Sequence, residues 1–331
     1  MKKKLLLTVL IAMTLLTGCY STEKSKVVKE NTSLSQTHEK KYKIGIIKYI
    51  DQISLDQAKE GFIDEMNKNG IDAEYIEQSE NGDITLTTTV PENMKQNDVD
   101  LVYAIATPAA QGAKNIIKNR PIIFSAVTDP VGAGLVDTVK NPGSNITGVS
   151  DYVDSKKQVK DFLTIYPEIK TLGVIYNTSE QNSLVQIEKL KSNMDSLGIK
   201  VESVGINNVN DIPQAMTSLT RKSDALFALT DNMVASAAPI VSDILIKNNT
   251  PSISAEEGQV KNGLLMSEGV NYYEHGAQAA RMAIKVLKGE KTENMPVEYN
   301  EKNIKKVNEK TAKALKLDLN LDIFKDAEII K

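Results

Sequence analysis

The chain has 331 residues, 41% of them hydrophobic and 25% charged, with a formal net charge of −3 at pH 7. That length suits about two domains with sizeable apolar cores, and the charge balance offers no basic stripe for nucleic acid. One cysteine and two histidines exclude an internal disulfide and any His/Cys cluster with metal-ligand spacing, and Gly132-Ala133-Gly134 is not a dinucleotide fingerprint, so no cofactor or metal is expected.

The N-terminus carries Lys2, Lys3 and Lys4, then an apolar run over residues 5–16, then Leu16-Thr17-Gly18-Cys19. A charged n-region, a short h-region and small residues before a cysteine form a bacterial lipoprotein signal over residues 1–18. Cys19 is then the expected lipidation site, and its acyl chains would hold the mature protein on the outer side of the cell membrane. Residues 19–41 are polar and charged and read as a disordered tether.

From residue 42 onward, Ile/Val-rich runs alternate with amphipathic stretches. The runs are 44–50, 101–106, 122–127, 172–176, 201–206, 225–229 and 252–254. The helix candidates between them are 55–69, 84–95, 108–118, 156–166, 182–197, 211–222, 233–247 and 273–287. Pro108 suits a first helical turn, and Gly70, Gly198 and Gly289 suit positions just past helix ends. Strands buried on both faces and spaced by helices indicate parallel α/β sheets. The series opens twice, at Lys43-Ile44-Gly45-Ile46-Ile47 and at Thr171-Leu172-Gly173-Val174-Ile175, and the 124–129 segment is echoed at 227–231. The expectation is two doubly wound lobes, 42–149 plus 271–296 and 150–270 plus 297–331. Three crossings, near 147–151, 266–271 and 296–299, would form a hinge.

Ligands of open parallel sheets bind beyond the carboxyl ends of the strands. In the first lobe those ends are the segment from Tyr49 to Asp56, Thr107-Pro108-Ala109, and 125–129 beginning with Ser125. In the second they are 177–183, with Asn177 and Ser183, then Thr230-Asp231-Asn232, and Glu256. The chemistry suits a zwitterion. Thr107 and the helix start after it would hold a carboxylate, with Ser125 or Ser150 adding a donor. Asp231 or Glu256 would accept from an ammonium. Each residue taken singly is equally a helix cap; the recurrence at six strand ends is what points to a cleft. His38 falls in the tether, and His275, near a helix start, reads as a surface residue. No nucleophile–base pair is left for catalysis, although which carboxylates face each other is not legible in a sequence. A sugar or nucleoside receptor and a surface adhesin for host or matrix stay open at this level. The 5% aromatic content and the absence of Trp weigh against sugar platforms.

Six segments resemble one known family: AIATPAAQ at 104–111, FSAVTDPVGAGLV at 124–136, NPGSNITGVSD at 141–151, GVIYNTSEQNS at 173–183, TDNMVASA at 230–237 and GVNYYEHG at 269–276. They are similar to the substrate-binding lipoproteins of ABC importers in the tryptophan/tyrosine-binding (TrpX-like) group. The resemblance implies a type I periplasmic-binding fold with two lobes and an aromatic amino acid as ligand; a monomer without enzymatic activity is the expectation beside it. The resemblance also implies delivery to a permease with a cytoplasmic ATPase. The implied cleft positions are Thr107, Ser125, Ser150, Asn177, Ser183, Asp231, Asn232 and Glu256. The segment KYIDQISLD at 48–56 departs from relatives, which often carry a histidine and a proline before the Leu-Asp. Tyr49 in this segment suits stacking on an aromatic ligand and equally a core-edge position.

Overall fold

A computed structural model describes residues 41–331; the signal segment, Cys19 and all but the last residue of the expected tether lie outside the described residues. The first lobe opens with β1 (Tyr42–Lys48), α1 (Ile53–Lys68), β2 (Ala73–Ser79), α2 (Leu86–Gln96), β3 (Leu101–Ile105), α3 (Thr107–Ile116), β4 (Ile122–Val127) and β5 (Ile146–Ser150). The chain then enters the second lobe through α4 (Ser155–Leu163), β6 (Thr171–Asn177), α5 (Gln181–Asp195), β7 (Lys200–Ile206), α6 (Ile212–Leu219) and β8 (Ala225–Ala228). That lobe continues with α7 (Asn232–Ser236), α8 (Ala238–Lys247), β9 (Ser252–Glu256), α9 (Glu257–Lys261) and β10 (Met266–Val270). The long α10 (Tyr272–Leu287) returns to the first lobe, followed by β11 (Glu298–Tyr299). Finally β12 (Asn303–Asn308), α11 (Glu309–Ala314) and β13 (Glu328–Ile330) finish on the second.

Two sheets result. The first has the order β11-β5-β4-β3-β1-β2 and the second β13-β12-β10-β9-β8-β6-β7. Every pairing is parallel except β10 with β12. Parallel strands need helical crossovers, and those helices cover both faces, which is why β3 and β4 are buried at every position. The half-buried edge strand β2, with sequence AEYIEQS, carries no such apolar run and was not among the expected strands. The first lobe also keeps slightly more chain than expected, because β11 pairs with β5 at Val149 and Ser150. The two-residue strand β11 is too short to display a burial pattern in the sequence.

Helix α10 is held on the first lobe by two glycines. A Cβ at Gly61 of α1 would lie 1.9 Å from the Tyr273 carbonyl oxygen, and one at Gly276 would lie 1.9 Å from that of Ala58. The two helices therefore touch backbone to backbone, and any larger residue would force them apart. Beneath them Phe62 stacks on Tyr103 at 4.0 Å between centroids with the planes 10° apart, and both rings are fully buried. Burial of each such ring stabilises by about 2 kcal/mol or more.

Candidate ligand-binding cleft

The carboxyl ends of both sheets face each other, and the lobes are in contact. Thr128 Oγ1 meets Thr230 Oγ1 at 3.1 Å, and Gln186 Nε2 donates to Thr230 Oγ1 at 2.7 Å. On another part of the rim Ser54 Oγ donates to the Glu256 carboxylate. At the hinge Tyr272 donates through its hydroxyl to Asp151 Oδ2 at 2.7 Å, and its amide donates to Glu257 Oε1 at 3.2 Å.

The second lobe's rim is built around two carboxyls. Asp231 caps α7, accepting from the Val234 amide at 2.9 Å; it also accepts from the Asn177 amide and the Ser183 hydroxyl, both at 2.6 Å. Glu180, just before α5, does not cap its own helix. It accepts instead from Asn177 Nδ2 at 3.0 Å, Asn182 Nδ2 at 3.3 Å, the Asn232 amide at 3.2 Å and the Met233 amide at 3.2 Å. Burial, reinforced by Asp231, pushes the Glu180 carboxyl up. Burial likewise raises Asp231. With three or more donors on each oxygen pair, this rim is a satisfied network, except that Asn182 Oδ1 has no partner.

The first lobe's rim differs. Tyr49 directly follows β1, is buried, and its hydroxyl donates to the Gly82 carbonyl at 3.1 Å. Burial raises its phenol pKa, with the negative charges of Glu180, Glu80, Asp231 and Asp83 adding to the shift. Tyr49 therefore sits where both lobes' acids converge. Beside it, Thr107 opens α3. The residue at the cap position is Ala106, which has no side chain able to cap, so the first amides of α3 carry an uncompensated positive end. Thr107 Oγ1 is buried without a hydrogen-bond partner.

Two alanines beside this rim hold unusual backbone. Ala106 has φ 84° and ψ 156°, and Ala126 has φ 56°. Both are in left-handed territory that normally selects glycine, at a cost on the order of 1–3 kcal/mol each. Ala126 is braced from behind by His275, whose Nε2 accepts from the Ala126 amide at 3.1 Å. His275 is fully buried rather than on the surface. Burial lowers its pKa to about 4, so it stays a neutral acceptor at pH 7.

The ten expected positions thus divide. Tyr49, Thr107, Asn177, Ser183, Asp231 and Asn232 come together at the facing rims. Ser125 lies inside the first lobe, with its hydroxyl 2.6 Å from that of Tyr103. Ser150 lies at the hinge, donating to the Thr128 carbonyl at 3.2 Å. Asp56 is paired with Lys48 beside the mouth of the cleft. Glu256 caps α9, accepting from the Gly258 amide at 2.7 Å and the Gln259 amide at 3.0 Å, besides Ser54. Sequence reading passed over Glu80, Glu180 and Asn182 as individuals. The last two stand inside the Asn-rich segment after β6, where the density of amide and acid side chains was the available signal. Glu80 follows the unrecognised β2 and offered none.

Two cavities flank these rims. One, about 520 Å³, opens at the cleft mouth between Tyr49, Ile50 and Ile84 of the first lobe and Asn177, Glu180 and Met233 of the second. The other, about 210 Å³, lies between the Thr128–Thr230 bridge and the hinge, with Phe227, Leu229 and Asp151 among its walls.

Two parallel-sheet α/β lobes, three hinge segments and facing polar rims define a solute receptor of the type I periplasmic-binding class. The chain belongs to the ABC transporter substrate binding protein family, whose model matches residues 43–331; these are binding proteins, not enzymes, and they act outside the cytoplasm. Among the described residues no helix is long and apolar enough to cross a membrane. A tyrosine-binding protein of Clostridioides difficile is 39% identical over 95% of this chain and 93% of its own length. An ABC domain from Streptococcus pneumonia, solved in complex with L-Trp, superposes with a TM-score of 0.84 at 32% identity, covering 88% of this chain and 100% of that one. The ligand-free, open structure of a substrate-binding protein with adhesive properties from Clostridium difficile is 38% identical, over 88% of this chain and 99% of that one, but superposes with a TM-score of only 0.68. The better fit goes to the less similar sequence.

Proposed function

We propose that this protein captures an aromatic amino acid, tyrosine or tryptophan, in the cleft between its lobes and delivers it to an ABC permease. The observation that carries the reading is the 39% identity, across 95% of the chain, to a protein that binds tyrosine, and the fit to an L-Trp complex supports it. The rims supply what a zwitterion requires: an uncapped helix start for the carboxylate, acids around Tyr49 for the ammonium, and a tyrosine ring with an adjoining cavity for the aromatic side chain. Lipidation at Cys19 would keep the receptor at the membrane surface beside its permease. Receptors for sugars share the fold at 13–16% identity, a likeness that supports architecture alone, so the other-solute reading is not favoured. Surface adhesion has no feature of the cleft behind it.

The test is mass spectrometry of ligand released from purified protein, then calorimetric titration with L-tyrosine and L-tryptophan. Tight one-to-one binding of either is the expected result. Failure of both to bind, with another solute released, would overturn the reading. Since the chain lacks Trp, bound tryptophan would also be seen directly by its own fluorescence.

A further inference from the structure

Glu80 is fully buried, and neither of its carboxyl oxygens has a hydrogen-bond partner. That is a costly state for a carboxyl unless something outside the chain completes it. The backbone on either side is pinned. The Glu80 amide donates to the Lys48 carbonyl and its carbonyl accepts from the Asp83 amide, both at 2.8 Å, while the Gly82 amide donates to the Tyr49 carbonyl at 2.8 Å. The side chain thus belongs to the turn clipped onto Tyr49, and its charge is felt by the Tyr49 phenol together with those of Glu180, Asp231 and Asp83.

The charged groups acting on the Tyr49 phenol alongside Glu80 are Asp83 from the same turn, Glu180 ahead of α5 and Asp231 ahead of α7. None is a cation. Lys48, on the adjoining strand, is committed to Asp51 at 2.9 Å and to Asp56. Asp231 and Glu180 have their oxygens filled by amides and hydroxyls of the second lobe, as described above. Glu80 alone among these buried acids is left open. Register adds the scale. Lys48 pairs with Ser79 on one side and Ile105 on the other. At ordinary strand spacing Glu80 and Ala106 are therefore on the order of 10 Å apart, one on each side of Tyr49, a distance that a glutamate side chain and the head of an amino acid lying over the end of β1 together cover.

We infer that the Glu80 carboxylate receives the ligand's ammonium group while the first turn of α3 and the Thr107 hydroxyl receive its carboxylate, so that the first lobe alone reads the zwitterion. The inference rests on the amino-acid reading above and sharpens it by moving the ammonium partner from the second lobe to the first. It has a consequence in protons. Burial pushes the Glu80 carboxyl up to about 8, so it is mostly protonated at pH 7 in the empty protein. An ammonium brought against it favours the ionised form. Binding must then expel the proton.

The experiment is calorimetry at pH 7 in two buffers of different ionisation enthalpy, titrating the wild-type protein with L-tyrosine and with 3-(4-hydroxyphenyl)propanoate, which lacks the ammonium. Tyrosine should release close to one proton per molecule bound, and its affinity should climb by up to about tenfold per pH unit between pH 6 and 8. The des-amino analogue should bind weakly and release none. Glu80→Gln should keep the fold, melt no lower than wild type without ligand, bind tyrosine about tenfold or more weakly, and lose the proton release. Because Glu180 lines the mouth cavity and is itself pushed up to about 7 by burial and by Asp231, Glu180→Gln is titrated in parallel to separate the two acids, and the larger loss of release should fall on Glu80→Gln. Wild-type affinity and proton count in Glu80→Gln, or release abolished only in Glu180→Gln, would overturn the assignment. Equal proton release with tyrosine and its des-amino analogue would overturn it without any mutation. No binding of tyrosine or tryptophan to the wild-type protein would instead sink the amino-acid reading, and this assignment with it.

Discussion

The two rims of the cleft carry the same kinds of residue and are finished differently. In the second lobe Asp231 and Glu180 are surrounded by donors from their own lobe. In the first lobe Glu80 and Thr107 bury polar oxygens with nothing opposite them, and Ala106 and Ala126 beside them sit in strained backbone. A satisfied buried network stabilises and fixes shape; an unsatisfied one costs stability until a ligand completes it. The contrast teaches that an acid at a strand end is not thereby a ligand contact. What matters is whether the protein has already used its lone pairs.

The largest effect that would sharpen this contrast is Asp231→Ala. It strands the Asn177 and Val234 amides and the Ser183 hydroxyl, and should destabilise the protein by about 2–4 kcal/mol, measured by urea unfolding. A variant of unchanged stability that no longer binds ligand would move the reading rim to the second lobe. Next in size is the seat of the ring. Tyr49→Ala should weaken binding of tyrosine by about tenfold or more, because it removes an aromatic contact and the wall of the mouth cavity, whereas Phe227→Ala should leave affinity nearly unchanged. The reverse order in a titration would put the ring in the hinge-side cavity.

The pH dependence of stability gives a smaller but cleaner division. His275 has a folded pKa of about 4, below its ordinary 6.5. The unfolded chain therefore binds its proton first, and stability falls as pH drops from about 6.5 toward 4. Glu80 has a folded pKa of about 8, above its ordinary 4.5. Here the folded chain holds the proton more tightly, so stability is present below about 4.5 and is lost as pH rises toward 8. Thermal melts of ligand-free protein should show a smaller alkaline loss in Glu80→Gln than in wild type, the remainder coming from Glu180, whose carboxyl is also raised, to about 7, and the acid loss in both. Smallest of all, Ala106→Gly should stabilise the protein by about 1 kcal/mol by relieving the strained φ. A loss of stability on chemical denaturation would mean that the strain is not real.

Much of the fold was legible because parallel strands buried on both faces must be continuous apolar runs, as in Leu101–Ile105 and Ile122–Val127. The edge strand β2 and the hinge strand β11 escaped because half-exposed or two-residue pairings leave no such pattern. Strand-end positions such as Thr107, Asn177 and Asp231 were found by the rule that ligands lie at carboxyl ends. Their roles were not, since a cap and a ligand contact use the same residue types, and only the hydrogen-bond census separates them. His275 was misplaced to the surface because a helix start reads as exposed until the neighbouring strand is known to press on it.

The most direct test of the central claim is a high-resolution crystal structure of the complex with L-tyrosine or L-tryptophan. The account predicts the ligand's ammonium within hydrogen-bond distance of Glu80 and its carboxylate on Thr107 and the first turn of α3, with the hydrogen bonds of Asp231 and Glu180 unchanged. An ammonium seated on Asp231 or Glu256, with Glu80 still unpartnered, would contradict it.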